Sequence, residues 1–219
     1  CCFWACKTSS YYAYRWILFQ SSKFFFKEDD IYCVDFYSSD SYNAENYDKI
    51  PLDKSKIFTQ KTKYNKYVHE WNSQVFSEGH NVIYELFKNY TGKILSVNED
   101  QFFTTGDTIR DLKENDFDLA WANWYWPSNN TVNASVVCFK PTTCGDLFPF
   151  PENKEPVDDL YYRHIVASQP EHGLSLYKMR FRVGNDYKGD GIRVGGVGVG
   201  DDTACPRIHD ELARHNMIF

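Results

Sequence analysis

His69, within Val68-His69-Glu70-Trp71, and His164 are the histidines on which a hydrolase would depend. An imidazole holds or passes a proton near neutral pH. The segment also carries a helical period. Tyr64, Tyr67, Val68, Trp71 and Val75 recur at i, i+3, i+4, i+7 and i+11. That pattern puts Trp71 on an apolar stripe and leaves His69-Glu70 in solvent. A second candidate is Gly196-Val197-Gly198-Val199-Gly200. A phosphate loop needs a strand, a glycine turn and a helix start, with a lysine or an acidic ribose partner. Here the glycines alternate with valines, and Asp201-Asp202 would repel phosphate. Asp186, Asp190, Asp201 and Asp202 crowd the same region, but their spacing does not fit an EF-hand loop, so a solvated turn is expected. His164, beside Tyr162 on an apolar alternation, could bond a ligand. His80, His172, His209 and His215 show no metal-ligand spacing, and no Ser-His-Asp or Cys-His set assembles from order. The sequence thus assigns no catalytic residue and no metal, and the expectation leans away from an enzyme.

The richest apolar stretch is residues 117–140, FDLAWANWYWPSNNTVNASVVCFK. Two strand-type arms flank Pro127-Ser128-Asn129-Asn130, a cluster of turn residues, so a β-hairpin is expected. A four-residue loop would pair Tyr125 with Val132, Asn123 with Ala134, Trp121 with Val136 and Leu119 with Cys138. One face then carries Phe117, Leu119, Trp121, Asn123 and Tyr125, and the other carries Trp124 and Trp126. Sequons at Asn129 and Asn133 make the Trp121/Tyr125 face the inner one, because a glycan stays in solvent. A one-residue slip would exchange the faces.

Strands are also expected at 11–20, 23–27, 31–37, 93–97, 160–168, 174–183 and 192–199. Two helices are expected in about 63–90, the first ended by Gly79 and the second capped by Asn81. Pro206 opens a short C-terminal helix. The fold class is therefore α+β and β-rich, with an antiparallel sheet curled into a barrel or half-barrel. The 219 residues are expected to form a single domain with a disulfide-tied N-terminal segment, residues 1–10.

Net charge is −6, which argues against nucleic acid as the main partner, and the 18% of aromatic residues suits strands. No apolar run reaches membrane-spanning length. Seven cysteines (Cys1, Cys2, Cys6, Cys33, Cys138, Cys144, Cys205) lack zinc-ribbon spacing. Together with sequons at Asn89, Asn129 and Asn133 and a first residue other than Met, they point to an oxidising, extracellular compartment. An odd cysteine would suit a homo- or hetero-oligomer.

The expected function is a secreted, glycosylated, disulfide-bonded binding protein. It would carry an apolar small molecule, a lipid or chromophore, in a cavity lined by Trp121, Asn123, Tyr125, Tyr162, His164, Tyr177, Met179 and Phe181. The alternatives are a secreted protein–protein interaction module or oligomeric structural glycoprotein, using Trp124 and Trp126, and a secreted hydrolase dependent on His69 or His164.

Overall fold

The computed structural model describes residues 2–5, 32–37, 53–61, 73–98, 101–103, 107–124, 132–153, 157–184 and 191–193. Their strands form one nine-stranded sheet. In chain order these are β1 (Cys2–Ala5), β2 (Tyr32–Tyr37), β3 (Ile57–Lys61), β4 (Ile94–Asn98), β5 (Gln101–Phe103), β6 (Leu119–Trp124), β7 (Asn133–Phe139), β8 (Leu176–Gly184) and β9 (Gly191–Arg193). In space they run β3-β2-β1-β4-β7-β6-β8-β9-β5. β3, β2, β1 and β4 are parallel to one another. β7 is antiparallel to both its neighbours, β4 and β6. β6, β8 and β9 are parallel again, and β5 closes the row antiparallel to β9.

This overturns the curled antiparallel barrel. The sheet is open and mixed, with β3 and β5 as its edges. Period-two alternation misleads here because the central strands are covered on both faces. Leu119, Ala120, Trp121 and Ala122 are consecutive in β6 and all buried, as are Val136 through Phe139 in β7. Unbroken apolar runs of this kind belong to sheets sandwiched between helical layers.

The hairpin exists, but its register differs from the expected one. Leu119 pairs with Phe139, Ala120 with Cys138 and Trp121 with Val137; a bulge then shifts the ladder so that Ala122 meets Asn133. The slip puts Trp121 on the same face as Leu119, Val137 and Phe139, all in one buried cluster with Ile83, Tyr161 and Ile165. Both arms are interior strands, and Leu119 through Ala122 and Val136 through Phe139 are buried on both faces.

One helix, α1 (Ser73–Phe87), replaces the expected pair in the described part of that region. It runs through Gly79, which is buried, and Asn81 lies inside it. An interior glycine costs roughly 1 kcal/mol against alanine, a penalty that packing of the helix's apolar face outweighs. α2 (Asp107–Glu114), which the sequence reading passed over, buries Thr108, Ile109 and Leu112. Asp107 in its first turn and Lys113 in its last suit the helix dipole. Residues 160–168, read as a strand, are helical: α3 (Val157–Tyr161) runs into a π-helix, Tyr162–Ala167, and then α4 (Gln169–His172). The fully buried Tyr161 and Ile165 stand four apart, a helical spacing that competed with the Leu160/Tyr162/His164/Val166 alternation. The expected strands at 11–20 and 23–27 and the C-terminal helix lie outside the described residues, as do His69, Glu70 and the 196–200 glycine run.

α1 and the π-helix cover the face of the sheet that carries Leu119, Trp121, Val137 and Phe139. α2 packs on the other face, where the Tyr177 hydroxyl donates to Asp111 Oδ2 at 2.6 Å and Phe117 stacks on Tyr177 at 5.5 Å. The architecture is therefore helix, sheet, helix.

Candidate functional site

The direction of the strands decides where a site can form. β3, β2 and β1 succeed one another outward on one side, and β4 lies on the other side of β1. Strand order therefore reverses between β1 and β4 while direction stays parallel. Chains leaving two such neighbours diverge to opposite faces and leave a crevice at their carboxyl ends. Ala5 and Asn98 are the last residues of these two strands.

α1 points its amino terminus to the same end. Its last residue, Phe87, packs edge-on against Tyr32, the first residue of β2, at 5.0 Å. The helix start therefore lies toward the carboxyl ends, where its free N–H groups favour an anion.

The far edge of the sheet also returns to this place. Only two residues separate Asn98, ending β4, from Gln101, opening β5. Three Cα–Cα links reach at most about 11 Å. In a flat sheet β4 and β5 would stand five strand steps apart, about 24 Å. The β9–β5 ribbon must therefore fold back toward the carboxyl end of β4. The bend coincides with ladder shifts in β6 after Trp121, against both β7 and β8, and such bulges bend and twist a sheet. Gln101 pairs with Arg193, so Arg193 is carried back with it.

A buried polar latch fixes α1 against the segment after β7. Asn81 Oδ1 accepts from the Phe150 N–H at 2.6 Å, and its Nδ2 donates to the Phe150 carbonyl at 3.2 Å. Ser77 Oγ donates to the Pro151 carbonyl at 2.7 Å. His80 Nδ1 lies 2.9 Å from both the Phe76 carbonyl and Tyr161 Oη. A carbonyl only accepts, so the proton sits on Nδ1. Burial lowers the pKa of His80 to about 4, so the ring is neutral at physiological pH. Asn81→Leu leaves the Phe150 N–H and carbonyl without their partner and is expected to cost about 2 kcal/mol. A urea midpoint lowered at unchanged slope would register it; an unshifted midpoint would show that the latch carries no stability.

The residues expected to line one cavity are split by the sheet. Trp121 is buried on the α1 face. Tyr162 and His164 lie on the π-helix of that side, Tyr162 packed at the edge of the cluster. His164 Nε2 donates to the Leu147 carbonyl at 2.8 Å, and burial lowers its pKa. Tyr177 stands on the opposite face with Asp111, and Met179 is buried two residues further along β8. Asn123 and Phe181 hold strand positions in β6 and β8, and Tyr125 lies outside the described residues. The structure thus brings Trp121, Tyr162 and His164 to one side and separates them from Tyr177. The crevice between β1 and β4 depends on strand order alone, and no residue pattern in the sequence announces it.

The disulfide-bonded glycoprotein description also fails where it can be read. Cys138 and Cys144 are free, buried thiols, and burial raises their pKa values to about 12 and about 11. Cys144 instead donates to the Asp118 carbonyl. Cys2 and Cys33 are positions in neighbouring parallel strands, and residues 2–5 belong to the sheet. Asn133 opens an interior strand, whereas Asn89 is exposed just beyond α1. No helix among the described residues is long and apolar enough to cross a membrane.

No protein-family model and no curated protein matches this chain. Solved structures do. HddC from Yersinia pseudotuberculosis complexed with GMP-PN superposes with a TM-score of 0.52 at 10% identity, over 96% of this chain and 98% of that one. The mannosyltransferase PcManGT from Pyrobaculum calidifontis, in complex with GDP-Man and Mn2+, gives 0.49 at 10% identity, over 98% and 61%. The inositol-1-phosphate CTP transferase from T. maritima gives 0.46 at 10% identity, over 96% and 95%. The carrier of an apolar small molecule in a barrel cavity is overturned, because the sheet is open and encloses no barrel. The likeness to HddC shows a shared fold, a Rossmann-like open α/β sheet.

Proposed function

We propose that this protein is an enzyme of the nucleotide-dependent transferase kind, binding a nucleotide in the crevice at the carboxyl ends of β1 and β4. The observation that carries the reading is the reversal of strand order between those two parallel strands. Open α/β sheets bind ligands at such switch points. The α1 amino terminus directed to that end favours phosphate. The GMP-PN complex of HddC, matched over nearly the whole of both chains, supports a nucleotide as the ligand class.

In sequence, Asn98 is followed by Glu99 and Asp100, oxygen donors of the type that bind divalent cations. Among the described residues no group of three or more His, Cys, Asp and Glu could hold a metal ion. What the chain supplies is a rigid crevice floor: β4 is anchored by Ile94, Leu95 and Val97, all buried. A buried frame of this kind holds a bound nucleotide without first having to order the strands around it.

Thermal unfolding against a panel of guanine, uridine, cytidine and adenine nucleotides and their sugar conjugates, with and without Mn2+, tests the proposal. A nucleotide at 100 times its Kd adds about 2.7 kcal/mol to stability and raises Tm by roughly 5–10 °C. The reading is abandoned if no nucleotide shifts the transition and equilibrium dialysis detects no binding at millimolar concentration.

A further inference from the structure

We infer that His164 and His172 form a two-histidine site for a divalent transition-metal ion of the zinc or copper kind, at the end of the sheet opposite the crevice. The two rings stand 6.5 Å apart between centres. Their spacing in the sequence is no helical i, i+4 step; the change from the π-helix to α4 brings them together. His164 is already set as a metal ligand would be. Its Nε2 donates to the Leu147 carbonyl at 2.8 Å, so Nδ1 carries the lone pair of the neutral ring. A histidine that binds a metal through one nitrogen commonly gives its other N–H to such a carbonyl, which fixes the tautomer and the ring direction. The Phe150 ring packs edge-on against His164 at 5.2 Å and holds it from a second side. Burial lowers the pKa of His164, so at neutral pH no proton competes for Nδ1.

His172 supplies the second nitrogen. It ends α4, a helix with no buried residue, and is itself half-buried. A zinc ion bonds each imidazole nitrogen at about 2.0–2.1 Å, so two ligating nitrogens lie no more than about 4 Å apart. Rotation of the His172 side chain closes the pair to that distance, while His164 stays where the carbonyl holds it. Two side chains make an open site whose other positions fall to water, in keeping with the lack of any larger ligand group among the described residues. Imidazole nitrogens suit zinc, copper and nickel, whereas magnesium and manganese prefer oxygen. Strand register gives the place. Ile94, Phe139, Leu119 and Leu176 share one rung, and Ile94, Leu119 and Leu176 open β4, β6 and β8. Only Gly173, Leu174 and Ser175 separate His172 from Leu176. The site therefore lies at the amino ends of these strands, away from the crevice, where an ion ties the π-helix to α4.

The test titrates zinc chloride into the full chain and into His164→Gln and His172→Gln, followed by calorimetry and by proton–nitrogen correlation spectra of the histidine rings. In wild type, His164 Nδ1 and one ring nitrogen of His172 are expected to shift together as a single zinc ion binds, and magnesium chloride should move neither. Each substitution removes one of the two ligands and is expected to weaken that event by roughly 10- to 100-fold or more. Zinc should raise the unfolding temperature of wild type and of neither variant. His172→Gln leaves the bond from His164 to Leu147 in place, so its loss of zinc is not a loss of fold, and its unfolding temperature without metal checks this. Ring nitrogens of His164 and His172 that stay unmoved at millimolar zinc, or a zinc affinity that survives in either variant, overturn the site. Neither result bears on the nucleotide reading.

Discussion

Replacing Tyr161 with alanine destabilises the protein by about 3–5 kcal/mol, the range for deleting a large buried ring. Tyr161 is fully buried at the end of α3 and is among the largest side chains of the core. Its ring meets Phe150 edge-on at 4.8 Å and His80 at 5.4 Å, and its hydroxyl stands 2.9 Å from His80 Nδ1. It therefore fills the junction of α1, α3 and the segment that Asn81 latches. Alanine leaves a cavity between three elements that are each held by other contacts, so the site collapses only partly and the cost stays high. Tyr161→Phe keeps the ring and loses one hydrogen bond, at about 1 kcal/mol. Urea unfolding of the two variants separates the contributions, and Tyr161→Ala should lower Tm by roughly 10 °C. A Phe variant as damaged as the Ala variant would show that the hydroxyl, not the ring, carries the junction.

What the sequence disclosed depended on whether a pattern was local. β2, β4 and β8 were legible as apolar runs of strand length, and the apolar stripe at Val82, Ile83 and Phe87 marked the later half of α1. The pairing of residues 117–126 with 131–140 was legible too, but its register was not. Leu119 meets Phe139 rather than Cys138, and a bulge interrupts the ladder. Neither fact is written in turn propensities. Parallel pairing escaped altogether, because it depends on crossovers between segments distant in sequence rather than on any one segment's period. The sign available was composition: LAWA in β6 and VVCF in β7 are continuous rather than alternating, as buried central strands are. The crevice between β1 and β4 lay beyond reach for the same reason, since it is a property of strand order. His164 was expected on an apolar strand face, and it stands instead on the π-helix. Its ring bonds a backbone carbonyl, which gives it a structural occupation.

Stability falls by roughly 3 kcal/mol between pH 6.5 and pH 4 through His80 alone. Burial lowers the folded-state pKa of this histidine from 6.5 to about 4. Above pH 6.5 the ring is neutral in both states and its contribution is complete. As pH drops below 6.5 the unfolded chain takes up a proton that the folded chain refuses, so folding becomes less favourable. Below about pH 4 the folded state is protonated as well, and the loss levels off. Carboxylates begin to titrate at the acid end of this range, although Asp116, held low by its hydrogen bond to Lys140, does so below it. The informative quantity is therefore the difference between wild type and His80→Gln, in which such groups cancel. The glutamine variant is expected to be about 1–2 kcal/mol less stable at pH 7.5, having lost ring packing against Phe150 and Tyr161. That gap should close and then reverse by pH 4.5, because only wild type carries the proton penalty. Urea midpoints measured at half-unit steps from pH 7.5 to 4.5 decide it. A difference that stays constant across the range would mean that His80 takes its proton inside the fold as readily as in water, by opening of the α1–α3 contact.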